Sequence, residues 1–218
     1  VLLVVAATAG EAGAIAEGLG GGRDVPIGPY RAVACGGAVV LQGGIGPGAA
    51  GAATATALAL GPGAYRGVLC AGVAGGYGQP VGGLVVASAI VPADLGADSP
   101  DGWLGVEDLG WAEQRPVAGH HAGELAAALG AACGPILTVS TVTGTARRAQ
   151  WLATRFAPVA EAMEGAGVAA AAVRFGVPVA ELRAISNVVG PRDRSSWDLA
   201  AALAALRAGA SGVLSAWT

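Results

Sequence analysis

Four polar residues stand out because each closes or interrupts an apolar run in an almost uncharged neighbourhood. Glu11 follows the run 1–7 and the small-residue turn Thr8-Ala9-Gly10; Glu164 follows Met163 and opens Gly165-Ala166-Gly167; Arg183 sits inside the run that starts at Val179, and Asn187 ends it. Carboxylates that meet a ligand serve proton transfer, and open α/β sheets bind ligands beyond the carboxyl ends of their strands. Each residue also has a plainer reading. Glu11 and Glu164 could be first-turn glutamates complementing a helix dipole, the latter exposed, and Ser186-Asn187 is also a turn signal. Arg183 is harder to dismiss, since a buried guanidinium needs an anion and the anions at that edge are Glu11 and Glu164.

Other patterns carry less. Gly46-Pro47-Gly48-Ala49-Ala50-Gly51 has the spacing GxGxxG. A dinucleotide site also needs an acidic residue about 20 positions on, and the residues there are Ala71-Gly72-Val73-Ala74-Gly75-Gly76. What remains is a bare backbone at a helix start, where N–H groups can approach a small polar ligand. His120-His121 has no companion cluster and is expected to face solvent, no serine lies in a GxSxG turn, and no Cys-His signature is present. Cys35, Cys70 and Cys133 are odd in number and far apart, as expected of reduced, mostly buried thiols. No metal site and no organic cofactor are indicated.

The elements that must position these residues follow from the apolar pattern. Strand, turn and helix are expected over 1–19, two strands with a tight turn at Gly36-Gly37 over 33–42, and an Ala-rich helix over 47–60. Buried strands are expected at 67–71 and 83–91, the glycine-rich 71–76 lying where the first of these exits. A long polar loop carrying Trp103 and Trp111 spans 92–116; loops of this length are usually functional or mobile. A helix at 122–133, a strand at 135–140, a helix at 145–156, a short approach into Met163-Glu164, a helix to 175, a strand at 179–186 and a helix at 197–217 complete the chain. The alternation gives an α/β fold with a mostly parallel central sheet flanked by helices on both sides, in one domain over 1–218.

Composition removes several classes. The 218 residues are 54% hydrophobic and 12% charged, with net charge −3 and mean hydropathy +0.60, which excludes a disordered or collagen-like chain. All basic residues are Arg, and they cluster only at Arg147-Arg148 and Arg192-Asp193-Arg194, so no nucleic-acid footprint is present. The uncharged stretches 32–65 and 67–93 are broken by Gly and Pro too often for a span of about 20 apolar residues. No basic segment precedes the apolar opening. No membrane partner and a cytoplasmic location are expected.

Five segments occur in the order and spacing of the purine nucleosidase and nucleoside phosphorylase superfamily, which the chain resembles over nearly its whole length. They are Glu11 after strand one, Gly44-Ile45-Gly46 before a helix, 71–76, Met163-Glu164-Gly165-Ala166, and Arg183-Ala184-Ile185-Ser186-Asn187. Within the superfamily, 138–145, the 183–187 segment and Pro191-Arg192-Asp193-Arg194 followed by Trp197 are most similar to the futalosine hydrolases. The resemblance implies hydrolysis of an N-ribosidic bond with release of hypoxanthine, as a step of menaquinone biosynthesis. It implies Glu11 as general base for water, Glu164 on the ribose hydroxyls, and Asn187 as reader of a 6-oxopurine where adenine-releasing relatives have aspartate. Gly46, Val73, Thr143, Gly144, Met163 and Arg183 would surround the substrate. It also implies a homodimer or larger homo-oligomer, with subunits often completing one another's sites. Val73 stands where the nucleosidase pattern has serine, and the phosphate-binding arginine and serine set of phosphorylases is not evident, which favours water as nucleophile. Arg192 and Arg194 could pair with a carboxylate at the far end of the substrate, with Trp103, Trp111 or Trp197 stacked on its ring. The alternatives are another purine nucleosidase or phosphorylase of this fold, and a non-catalytic nucleoside-binding module.

Overall fold

The computed structural model describes residues 1–111 and 115–217, so the 92–116 segment is described except for 112–114. The first strand, β1 (Leu2–Ala6), is buried along its whole length, as a β-branched run covered on both faces must be. Its side chains alternate. Leu3 and Val5 join one apolar layer; Leu2, Val4 and Ala6 join the other. After α1 (Ala9–Gly18) come β2 (Arg23–Ile27), β3 (Tyr30–Cys35) and β4 (Ala38–Gln42), then α2 (Pro47–Leu60). β3 and β4 form the expected hairpin, with Gly36 and Gly37 both at positive φ in the turn. β2 adds an outer antiparallel strand that the apolar pattern did not reveal, because its residues are mostly exposed.

The middle of the chain supplies β5 (Gly67–Gly76), β6 (Leu84–Pro92), the short β7 (Gly96–Ala97), β8 (Leu104–Gly105) and β9 (Val117–Ala118), and α3 (Ala122–Leu129). The remainder is β10 (Ala132–Thr138), α4 (Ala146–Phe156), β11 (Ala160–Ala162), α5 (Gly165–Arg174), β12 (Val179–Val188) and α6 (Leu199–Ala216). Among the described residues the main sheet runs β11-β10-β6-β12-β5-β1-β4-β3-β2, with β9 on β6. β11 also pairs with the end of β5, so β5, β12, β6, β10 and β11 curl into a ring while β1 to β4 continue as an open sheet.

Helices cover both faces. α2 and α5 pack over Leu3, Val5, Val68 and Ile185; α1, α3 and α6 pack over Leu2, Val4, Leu69 and Leu182. Three expectations are corrected. The glycine-rich 71–76 is strand, not an exit loop, because β12 pairs along one side of it and β11 pairs with its end. The helix expected to reach 133 stops at Leu129, where Gly130 turns left-handed (φ 59°) and the chain enters β10. The 92–116 loop holds the small β7–β8 pair. α6 is long and apolar enough to cross a membrane by length and composition. Here Ala202, Leu206, Ala210 and Val213 are buried within one of the helix layers, and Arg207 pairs with Glu17 of α1 at 3.3 Å.

Candidate active site

The carboxyl ends of β1, β5 and β12 converge beside the start of α5, and the singled-out residues are gathered there. Thr8 caps α1: its hydroxyl accepts from the Glu11 N–H at 3.3 Å. The Glu11 carboxylate folds back in return, and Oε2 accepts from the Thr8 N–H (2.9 Å) and hydroxyl (2.7 Å). Its other oxygen, Oε1, accepts from the Val73 N–H at 2.8 Å. Glu11 is 4% exposed. The plain capping role is therefore real, and it leaves a buried carboxylate tied to β5 with lone pairs to spare.

Glu164 is the N-cap residue of α5 and is buried, which rules out the exposed-glutamate reading. Its Oε1 accepts from the Gly46 N–H at 3.1 Å; its Oε2 accepts from the Met163 N–H at 3.3 Å and from Arg183 Nη1 at 3.0 Å. Gly46 reaches it because α2 and α5 pack unusually close. A Cβ on Gly167 would collide with the Pro47 carbonyl, and Gly51 lies against the Gly167 backbone. That is the physical use of the glycine string. Gly46 itself sits at φ 90°, turning its N–H inward ahead of Pro47, the first residue of α2.

Arg183 is 1% exposed and forks across the site. Nε donates to Glu181 Oε1 at 2.9 Å, Nη1 to Glu164, and Nη2 to Cys70 Sγ at 3.2 Å. The expectation that Glu11 and Glu164 share Arg183 is half corrected. Glu164 is a direct partner, whereas Glu11 is already satisfied by Thr8 and Val73 and is only a neighbour: a side chain on Gly72 would strike both the Glu11 carboxylate and the Arg183 guanidinium. Glu181 takes the second place. Residues two apart on a strand share a face, so the pair Glu181/Arg183 was the signal that could have revealed it. Burial pushes the Glu181 carboxyl above its ordinary range despite the opposing arginine.

Asn187 follows an irregularity between Ile185 and Asn187 in the β12–β5 register. Its Oδ1 accepts from the Ser186 hydroxyl at 2.8 Å and its Nδ2 donates to Val188 O at 3.1 Å, which leaves one amide hydrogen and a lone pair uncommitted. Thr143 is buried and committed to Glu161, a second carboxylate missed from the sequence: its N–H donates to Oε1 at 2.7 Å and its hydroxyl to Oε2 at 2.6 Å. Tyr77 also approaches Glu161, at 3.4 Å, and burial together with that carboxylate pushes the phenol's pKa up. Gly144 accepts from the Arg192 N–H at 3.3 Å, so the 191–197 segment lies over the 143–144 turn, and the Arg192 guanidinium sits 5.4 Å from the Trp197 ring.

A groove of about 650 Å³ lies beside the two carboxylates' cluster without including either of them. It meets the site at Pro47, Ala166 and Gly167, then runs between α5 and the loop residues Leu95 and Arg115 with Val117 of β9.

A family model described as the phosphorylase superfamily matches residues 2–215. The chain belongs to that superfamily, among its futalosine hydrolases. The futalosine hydrolase of Streptomyces coelicolor is 51% identical over 174 residues, covering 77% of this chain and 74% of that protein. That of Acidothermus cellulolyticus is 46% identical, covering 99% and 91%. In fold, the chain matches the futalosine hydrolase of Helicobacter pylori with TM-score 0.82 at 22% identity, covering 98% and 97%. A Neisseria meningitidis 5'-methylthioadenosine/S-adenosylhomocysteine nucleosidase complexed with methylthio-immucillin-A matches with TM-score 0.79, also at 22%, covering 98% and 97%.

Within this superfamily member, Glu11, Glu164, Arg183, Met163, Gly46 and Val73 are linked into one cluster, Gly46, Val73 and Met163 through their backbones, and Arg183 Nη1 joins the Glu11 and Glu164 halves by donating to Val73 O at 3.5 Å. Thr143, Gly144 and Asn187 line neighbouring backbone. Of the three tryptophans, Trp197 meets Arg192, whereas Trp103 packs edge-on against Trp151 and Trp111 is exposed. His120 is not solvent-facing as expected: it packs on Trp217 at 5.4 Å between ring centres, and burial lowers its pKa. Cys35 and Cys70 are buried and Cys133 is exposed, in line with thiols expected to be mostly buried.

Proposed function

We propose that this chain hydrolyses the N-ribosidic bond of futalosine, releasing hypoxanthine and leaving dehypoxanthine futalosine, in menaquinone biosynthesis. The curated relatives that share about half its residues are named for this activity. The observation that carries the mechanism is the pair of buried carboxylates, Glu11 and Glu164, held by backbone N–H groups on either side of Arg183.

Cleavage of the bond to the purine leaves positive charge on the ribose, as in oxocarbenium-like glycoside hydrolysis, and the bond's electron pair departs with the base. Glu11 takes a proton from the water that attacks the anomeric carbon, an effect worth about 10²- to 10⁴-fold. Glu164 accepts from ribose hydroxyls and sets fixed negative charge beside the forming cation, where preorganised groups act most strongly. Arg183 orients Glu164 and the water, and Met163 packs against the sugar. Gly46 holds Glu164 through its N–H, and Val73 holds Glu11 in the same way. Asn187 donates to the 6-oxo group while its carbonyl accepts from the protonated N7, a pattern that an aspartate would invert. Thr143 and Gly144 border the base, the Thr143 hydroxyl being turned to Glu161. Arg192, stacked on Trp197, and Arg194 receive the substrate's carboxylate.

The substrate is a small purine nucleoside, with no nucleic acid, membrane or metal required, and the enzyme works in the cytoplasm. It assembles as a homodimer or larger homo-oligomer, a reading supported by the exposed Ile45, Leu95, Val142 and Val173. The test is chromatography of reactions with futalosine, inosine and methylthioadenosine, each with and without phosphate. Hypoxanthine from futalosine, indifferent to phosphate, is expected. Adenine release would overturn the role of Asn187, and a strict phosphate requirement would overturn hydrolysis.

A further inference from the structure

Glu181 is the one charged residue of the cluster that the mechanism above does not use. Three carboxylates, Glu11, Glu164 and Glu181, and one guanidinium, Arg183, are enclosed at the same sheet edge, each 6% exposed or less. Strand alternation sets Glu181 and Arg183 on the face of β12 that meets α5, in register with Cys70 and Gly72 of β5. Glu181 Oε1 takes the Nε of Arg183 at 2.9 Å, while its Oε2 is buried with no hydrogen-bond partner among the described residues. The carboxylate is also pressed against the first residue of α5, where a side chain on Gly165 would collide with it.

A fold gains little from such an arrangement. Replacing a buried ion pair by neutral groups is often neutral or stabilising, and an unsatisfied buried oxygen carries a desolvation cost. The geometry shows what the residue does instead. Nε is the root of the guanidinium, and fixing it fixes where Nη1 and Nη2 point. With the root held by Glu181, Nη1 meets Glu164 Oε2 and Nη2 meets Cys70.

We propose that Glu181 is a positioning residue for the N-ribosidic cleavage: it anchors the guanidinium root and shares its charge, so that Arg183 orients Glu164 without neutralising it. This rests on the proposed hydrolysis. The groups facing Glu181 are Arg183 on its own strand and Glu164 at the start of α5, with Cys70 on β5 beyond the guanidinium.

The test compares wild type with Glu181→Gln, which keeps an acceptor for Nε and removes the charge. We expect kcat for hypoxanthine release to fall between about tenfold and 100-fold, the cost of a misplaced reacting group, with KM little changed and the fold intact. In an Arg183→Met background the same change should cost little more, since Glu181 acts through Arg183. Wild-type kcat overturns the proposal, as does a loss of the same size in both backgrounds. A Glu181→Gln chain that fails to fold overturns it too, by making Glu181 a structural ion. The nitrogen-15 and proton resonances of the Arg183 Nε–H in ligand-free protein read the anchoring without substrate, and they should shift in Glu181→Gln. A wild type inert on futalosine would therefore refute the activity and leave this proposal to those resonances, where an unchanged Nε–H signal overturns it.

Discussion

Replacing Glu164 by glutamine separates what this residue contributes to the fold from what it contributes to the reaction. The carboxylate receives three donors, one on Oε1 and two on Oε2. A glutamine must present its NH₂ to one side or the other. Facing Arg183 it would meet a cation, so the amide nitrogen turns to the Gly46 N–H, and one buried donor loses its partner at a cost of about 1–3 kcal/mol. Part of this is returned, because three carboxylates facing one guanidinium become two. Stability should therefore drop by no more than about 2 kcal/mol, with the fold retained. The rate should respond far more. An amide offers no net charge to a forming ribosyl cation, and loss of a preorganised electrostatic partner costs about 10²- to 10³-fold in kcat, or roughly 3–4 kcal/mol. The measurements are single-turnover release of hypoxanthine and urea denaturation of the same preparation. A variant as stable as expected but turning over at the wild-type rate would refute the role of Glu164. So would one whose rate loss is matched by an equal loss of folded protein.

Asn187→Asp should depress release of hypoxanthine by about 10²-fold or more, as expected when a site built for one hydrogen-bond pattern meets another; an unchanged preference for 6-oxo over 6-amino substrates in competition assays would contradict this. Replacing Arg192 and Arg194 together should raise KM for futalosine while sparing inosine, and an equal effect on both would remove them from the carboxylate end. Gly167→Val should push α2 from α5, destabilise by about 1–3 kcal/mol as overpacked cores do, and lower kcat by drawing the Gly46 N–H off Glu164; full activity with a lowered melting point would uncouple the two. The raised pKa of Glu181 means that its contribution to stability is fully present below its ordinary value and is lost as pH rises through the folded value. Melting points of wild type and Glu181→Gln should accordingly diverge in favour of wild type as pH falls from 7 to 5, and a flat difference would show no such linkage.

The sequence showed the candidate residues better than it showed what holds them. Glu11, Glu164, Arg183 and Asn187 were legible because each is a polar residue in a long apolar setting, where burial demands a reason. Glu181 and Glu161 are equally buried, yet they were passed over: Glu181 is separated from Arg183 by one residue, and that same-face relation matters only once the strand is known to lie under α5. Glu161's partner, Thr143, is 18 residues away and reaches it across the sheet edge. β2 was invisible for the opposite reason, since an exposed outer strand has no apolar run to show. Glycine was hard to read in two places. The residues 72–76 read as a loop, because composition alone does not tell a bare strand clasped by two neighbours from a turn. The string 46–51 has the spacing of a nucleotide fingerprint without its acidic partner, and that spacing serves close contact between α2 and α5.

The electrostatic design of the cluster argues for a cationic transition state more directly than any single residue does. Burying three carboxylates against one guanidinium leaves an excess of negative character in a poorly solvated space, and a ground state gains nothing from that. Each oxygen bound to a backbone N–H is held by a dipole that does not move when charge develops, so no reorganisation is needed at the moment of cleavage. Gly46 holds one carboxylate and Val73 the other, and both N–H groups come from segments in which a side chain at Gly167 or Gly72 would force the parts away from each other. The small residues therefore set the position of the negative charge, and Arg183 tempers it without cancelling it. An anionic transition state would require the reverse, an excess of donors turned inward. At this edge the inward-turned donors already have acceptors: the Gly46, Val73 and Met163 N–H groups on the carboxylates, and the guanidinium of Arg183 on Glu164, Glu181 and Cys70.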